Sequence, residues 1–130
     1  MRVILVRHGD AERGEPDELR VLSAKGREQS RRLGEQFAAE GVRPAAVLTS
    51  PLLRARETAD AIARATGTKA EPVERLAPGA TVDDLRAAVA GRGEPVVVVG
   101  HQPDCGRIVA AVTGDQPPFP TAGVCIVDLP

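Results

Sequence analysis

Arg7 and His8 stand side by side at the end of an apolar run, Val3-Ile4-Leu5-Val6, and directly before Gly9. An arginine presents a planar fork of donors that matches two oxygens of a phosphate, and a neutral imidazole is available near physiological pH to attack phosphorus. Together they are equipment for gripping and attacking a phosphoryl group. Arg-His-Gly alone is a weak signal, since an Arg-His pair in a loop is more often a solvated surface, so the elements that position the pair must decide.

Three of the four apolar residues are β-branched, which reads as a buried strand, with Gly9 allowing a sharp turn where the polar residues begin. Arg7 and His8 then lie at the carboxyl end of a strand, where open parallel sheets bind ligands. Two further segments repeat the arrangement. Val47-Leu48-Thr49 runs into Ser50-Pro51-Leu52-Leu53-Arg54-Ala55, with Ser50 expected as N-cap and Pro51 as the first helical residue, so that Arg54 sits in the first turn. Val96-Val97-Val98-Val99-Gly100 leads to His101, Gln102 and a helix-opening Pro103. Four chemistry-bearing side chains thus end three strands and converge on one sheet edge.

Phosphoryl transfer needs fixed cations and aligned donors more than covalent ingenuity. Arg7 and Arg54 are the expected bidentate clamps and His8 the nucleophile, forming a phosphohistidine intermediate. His101 is the expected donor to the transferring oxygens, helped by the N–H of Gln102 and the positive start of the following helix. Gly9 and Gln102 are the expected substrate-binding positions. The plainer readings are that Arg54 pairs with Glu57 or Thr58 on its own helix, and that His101 caps a turn; neither explains the convergence.

These segments resemble the histidine phosphatase superfamily, whose members carry Arg-His-Gly after the first strand. The likeness lies in Arg7 to Glu12, Ser50 to Ala59 and Val96 to Asp104, and the stretch Phe119 to Val124 resembles the small phosphohistidine phosphatases, the SixA-like branch. The resemblance implies a phosphoglycerate mutase-like fold, metal-independent phosphatase activity without a cofactor, a phosphorylated protein or a small phosphate ester as partner, and a His8 whose second ring nitrogen donates to nearby backbone. The chain departs from many relatives in its proton donor. Relatives that act on alcohol esters often place a Glu after the third strand, where this chain reads Glu74-Arg75-Leu76-Ala77-Pro78-Gly79. Asp10, Glu74, Asp83 and Asp84 remain candidates, with Asp84 better explained as a helix cap. A poor acid matters least when the leaving group is imidazole, which departs more easily than an alkoxide. The chain also has no insertion long enough for a lid, so an open site able to admit a protein side chain is expected.

The remaining pattern alternates strands and helices. Ser23 caps a helix with Leu33, Phe37 and Ala38 on one face and Gly41 at its end; a second helix spans Pro51 to Thr66 with Leu52, Ala55, Ala59 and Ile62 inward and Gly67 closing it. A weak strand follows near Ala70 to Val73. Thr81 and Asp84 fit a capping box opening a helix with Val82, Leu85 and Val89 on one side. A strand from Pro95 to Val99, a helix from Pro103 to Val112 closed by Gly114, and a strand from Val124 to Leu129 complete an α/β three-layer sandwich, with helices flanking a mainly parallel sheet. The loop Asp10 to Leu22 is the expected substrate-contacting rim.

At 130 residues the chain has room for one domain, 1–130, whose core must rest on Val, Leu, Ile and Ala because it holds two Phe and no Trp or Tyr. With 17 basic against 18 acidic residues, no global field points to nucleic acid or an anionic membrane. No stretch reaches a membrane span and the start runs straight into a strand, so a cytoplasmic protein is expected, with a monomer as the default. Cys105 and Cys125 read as buried small hydrophobes. A cysteine phosphatase needs Arg six positions after its Cys; Cys105 finds Ala111 there and Cys125 runs out of chain.

Other readings remain: a broad phosphomonoesterase for small metabolites, a binding module that holds phosphate without turnover, and a metal hydrolase built on His8, His101, Asp10 and Asp104. Two arginines beside such ligands would repel a divalent cation, and the chain has no third His.

Overall fold

The computed structural model describes residues 1–130. Five strands form one sheet: β1 (Arg2–Arg7), β2 (Ala46–Thr49), β3 (Ala70–Pro72), β4 (Val96–Gly100) and β5 (Val124–Asp128), in the order β3-β2-β4-β1-β5. β1 to β4 run parallel and β5 returns antiparallel along the free edge of β1, with Ile4 opposite Ile126. Helices α1 (Ala24–Ala39), α2 (Leu53–Thr66), α3 (Val82–Val89) and α4 (Asp104–Thr113) cover both faces, giving the three layers expected.

Burial on two faces explains why β1 and β4 read as unbroken apolar runs. Successive residues point to opposite sides of the sheet. Val3, Leu5, Val96 and Val98 join Leu85 and Val89 of α3 and Ile108 and Val109 of α4 in one core. Ile4, Val6, Val97 and Val99 join Leu33 and Phe37 of α1 and Ala55, Ala59 and Ile62 of α2 in the other. α1 approaches α2 closely through Gly34, where a Cβ would stand 2.8 Å from the Ala61 carbonyl oxygen. The core is small-sided and needs no aromatic ring beyond Phe37 and Phe119.

The caps follow the sequence in part. The Ser23 side chain accepts from the Gly26 N–H, and Thr81 with Asp84 forms the reciprocal capping box. Gly67 and Gly114 close α2 and α4 in the left-handed conformation. Ser50 is not the N-cap: α2 begins at Leu53, with Leu52 at the cap and Pro51 outside the helix, and the Ser50 hydroxyl instead accepts the Leu52 N–H and meets His101 Nε2. Likewise α4 starts at Asp104 and Pro103 is its cap residue. The Gln102 side-chain carbonyl takes the capping task, accepting from the Gly106 N–H at 2.7 Å. Ala38 is exposed rather than inward, the buried face of α1 being completed by Gly26, Ser30 and Gly34, and Cys125 is only half-buried.

Candidate active site

The carboxyl ends of β1, β2 and β4 open into a cavity of about 370 Å³ lined by Arg7, His8, Arg54, His101 and Gln102, all anticipated from sequence. β1 delivers the first two. The His8 N–H donates to the Gly100 carbonyl at 3.0 Å and the Ala122 N–H donates back to the His8 carbonyl, so β4 on one side and the turn before β5 on the other fix this backbone. The His8 side chain is tied locally: Nδ1 lies 2.7 Å from the Gly9 carbonyl oxygen, which can only accept. Nδ1 therefore carries the proton and Nε2 keeps a bare lone pair, the state a nucleophile requires.

Burial holds the His8 pKa below its ordinary 6.5, against the opposing Gly9 hydrogen bond, and the guanidinium groups of Arg54, Arg7 and Arg20 press the same way. The neutral ring thus persists at more acidic pH than in an ordinary histidine. A ¹⁵N NMR titration is expected to show His8 in the Nδ1–H form with its midpoint under 6.5; a midpoint at or above that value would contradict this electrostatic setting.

His101 stacks edge-on to His8 with ring centroids 5.2 Å apart. Its Nε2 lies 2.7 Å from the Ser50 hydroxyl, which already accepts the Leu52 N–H. The buried Ser50 O–H has no other acceptor than Nε2, so it donates there and the proton of the ring resides on Nδ1. Desolvation, His8 and Arg54 push the His101 pKa down to about 3, so it is a neutral donor.

The arginines are held without being consumed. Arg7 Nη1 donates to the Phe119 carbonyl at 3.1 Å, a contact supplied by the proline-rich connector before β5. The Arg54 guanidinium bonds neither Glu57 nor Thr58, although the Thr58 hydroxyl donates to the Arg54 backbone carbonyl at 2.9 Å. Its Nη1 donates to the Asp17 carbonyl at 3.0 Å and its Nη2 to the Asp17 carboxylate at 3.3 Å, while Glu57 accepts the Leu22 N–H and Thr58 accepts the Gly9 N–H. Two buried side-chain polar atoms in the chain lack any partner, Arg7 Nε and His101 Nδ1. Both are donors and both belong to residues lining this cavity. Buried donors are rarely left unsatisfied, and an oxyanion bound in the cavity would bring acceptors to this region.

Several expectations need correction. Gly9 does not offer its N–H to a ligand, since Thr58 Oγ1 takes it at 3.0 Å. Its small size is needed for close approach, a Cβ there standing 2.8 Å from the Gly26 carbonyl. Glu74 lies exposed on a 3-10 turn (Glu74–Leu76) outside the cavity, and Asp84 is committed to its capping box. Asp10 does line the cavity, but its carboxylate accepts the Ser23 hydroxyl at 2.6 Å. Asp104 is buried and accepts the Gly79 N–H at 2.8 Å, which ties the loop bearing Pro78 to α4. No three His, Cys, Asp or Glu side chains come together as a metal-holding group.

The rim from Asp10 to Leu22 contributes Asp17 and Arg20, which sequence reasoning did not single out. The base of this loop is pinned to α1, where a Cβ at Gly26 would fall 1.9 Å from the Asp10 carbonyl oxygen. Gly26→Ala is expected to cost about 1–3 kcal/mol of stability, or more if the loop cannot move, and to lower activity by displacing the backbone beside His8. Thermal unfolding with a parallel assay checks this; a variant unchanged in both would show that the contact yields freely. A larger groove of about 530 Å³ between α1 and α2 contains none of the four chemistry-bearing residues.

The family model of the histidine phosphatase superfamily (branch 1) matches residues 3–78. The chain is 32% identical over 138 residues to the phosphohistidine phosphatase SixA of Escherichia coli strain K12, covering 99% of this chain and 86% of that one. It is 35% identical over 124 residues to an uncharacterised protein of Picosynechococcus, covering 89% and 75%. In three dimensions it is similar to the protein histidine phosphatase SixA solved with tungstate, with a TM-score of 0.88 at 30% identity, covering 99% of this chain and 88% of that one. With its motifs on three strand ends, its mainly parallel sheet and these relatives, the chain belongs to the histidine phosphatase superfamily and is a phosphatase.

Proposed function

We propose that residues 1–130 act as one domain that removes phosphoryl groups from phosphohistidine side chains of proteins, through a phosphohistidine intermediate on His8. The observation that carries the reading is the meeting in one cavity of Arg7, Arg54, His101 and a His8 whose Nδ1 is tied to the Gly9 carbonyl, which leaves Nε2 bare. Arg7 and Arg54 grip the phosphoryl oxygens, His8 Nε2 attacks in line, and His101 donates to an oxygen whose charge builds in the transition state. Water then hydrolyses the intermediate, and no step calls for a metal ion.

The choice of leaving group rests on the carboxylates. Asp10 is turned to Ser23 and Glu74 stands outside the cavity, so neither expected proton donor is aimed at a departing alkoxide. An imidazole that already carries a proton on its other ring nitrogen leaves as a neutral ring without such help. Similarity to SixA of E. coli along nearly the whole chain supports the same substrate class.

A panel containing a histidine-phosphorylated carrier protein, an aryl phosphate and a sugar phosphate, assayed with chelator present throughout, tests the proposal. The phosphoprotein is expected to lead in kcat/KM, with the sugar phosphate last. Equal turnover of the sugar phosphate would move the assignment to a metabolite phosphatase with Asp10 as its acid, and loss of all activity to chelator would restore the metal-hydrolase reading.

A further inference from the structure

Asp17 occupies an unusual position for a site that binds phosphate. Its carboxylate lines the same cavity as His8 and His101, on the 3-10 turn Asp17–Leu19 of the rim. Oδ2 is 3.3 Å from Arg54 Nη2 and Oδ1 is 3.1 Å from Arg20 Nη1, while the side chain remains 60% exposed at the mouth. A dianionic phosphate ester held by Arg54 must therefore sit beside a fixed negative charge, which repels it. The Asp17 backbone carbonyl already holds Arg54 at 3.0 Å, so the carboxylate is not required to place that guanidinium. A carboxylate here is a disadvantage unless the substrate brings a positive charge next to its phosphoryl group.

We propose that the Asp17 carboxylate is the specificity-determining group of this site: it accepts the free ring N–H of a protonated phosphoimidazole and so selects phosphohistidine over phosphate monoesters. This rests on the phosphatase reading above and names the group that reads its substrate. In the first step the bond between phosphorus and His8 Nε2 forms as the bond between phosphorus and the substrate nitrogen breaks. The electron pair of the broken bond stays on that nitrogen. The ring's other nitrogen keeps its proton, so a substrate that enters as imidazolium leaves as neutral imidazole and needs no proton donor. Asp17 stabilises the imidazolium form, which is the form with the better leaving group. Arg20 and Arg54 hold the Asp17 carboxyl below its ordinary range, the Arg20 hydrogen bond most strongly, which keeps it an acceptor. The other charged or titratable groups lining the cavity are Arg7, His8, Asp10 and His101.

Asp17→Asn removes the charge and keeps the backbone contact to Arg54. On a phosphohistidine peptide kcat/KM is expected to fall about tenfold or more, the usual scale for losing a hydrogen bond to a charged group. Turnover of an aryl phosphate is expected to rise, and inorganic phosphate to inhibit more tightly, because the repelling charge beside Arg54 is gone. The alkaline limb of kcat on phosphohistidine is expected at lower pH in Asp17→Asn, because the ring loses the carboxylate that kept it protonated. Asp17→Glu, which retains the charge, is expected to retain the preference and guards against a folding defect in the first variant. Equal losses on both substrates, or an unchanged phosphohistidine rate, would overturn the role of Asp17. A wild-type protein unable to turn over the phosphohistidine peptide would instead count against the function itself.

Discussion

His8→Ala is expected to abolish turnover of every phosphorylated substrate while leaving the fold in place. The ring contributes one hydrogen bond to the adjacent Gly9 carbonyl and belongs to neither apolar core, so its removal takes away chemistry more than packing. On the proposed mechanism the reaction loses its nucleophile outright, and what remains is an oxyanion-binding cavity with no group to attack phosphorus. Binding of a tetrahedral oxyanion such as phosphate is expected to survive, because Arg7, Arg54 and His101 are intact. Steady-state assays with thermal unfolding check both halves. Near-normal turnover in His8→Ala would show that water attacks directly and that His8 is only a wall of the cavity.

Arg54→Ala and Arg7→Ala are each expected to lower kcat/KM by roughly 10²-fold or more, since each removes charged donors worth about 2–4 kcal/mol in a transition state. The two differ in what else they disturb. Arg54 also anchors Asp17 and hence the rim, so its loss is expected to loosen that loop; Arg7 holds the Phe119 carbonyl, and its loss frees the connector before β5. Lysine at either position keeps the charge and loses the fork, so rescue is expected to be partial. Complete rescue by lysine would mean that charge alone matters and that bidentate geometry does not.

The parts of this architecture written in local pattern were legible from sequence. Val3 to Val6 and Val96 to Val99 announce strands buried on both faces, and residues directly after a parallel strand project at the edge where ligands bind, which is why Arg7, His8 and His101 could be placed together. Thr81 and Asp84 declared a cap because the signal spans four residues and no distant group competes for it. Ser50 shows the opposite case: the local pattern reads as a helix cap, whereas the helix begins three residues on and the hydroxyl is shared between the Leu52 N–H and a histidine 51 positions away. Asp17 and Arg20 carry no periodic signal, and their places depend on tertiary bonds that run from the rim to Arg54 and Glu57. Gly9 was legible as a necessary glycine but for the wrong reason, since the constraint is the approach of α1 and not the freedom of the turn. Glu74 failed as a proton donor because composition places a carboxylate in a segment but cannot aim it.

The central claim, transfer of the phosphoryl group to His8 Nε2, is tested most directly by trapping the intermediate. A carrier protein labelled with radioactive phosphate on histidine would be mixed with the wild-type phosphatase and quenched within one turnover in alkali, where phosphohistidine is stable and from which it is lost in acid. Label is expected to move to the phosphatase, to map to His8 as the Nε2-phosphorylated ring, and to vanish with His8→Ala. Release of inorganic phosphate with no label ever on the phosphatase, or label on another residue, would contradict the mechanism.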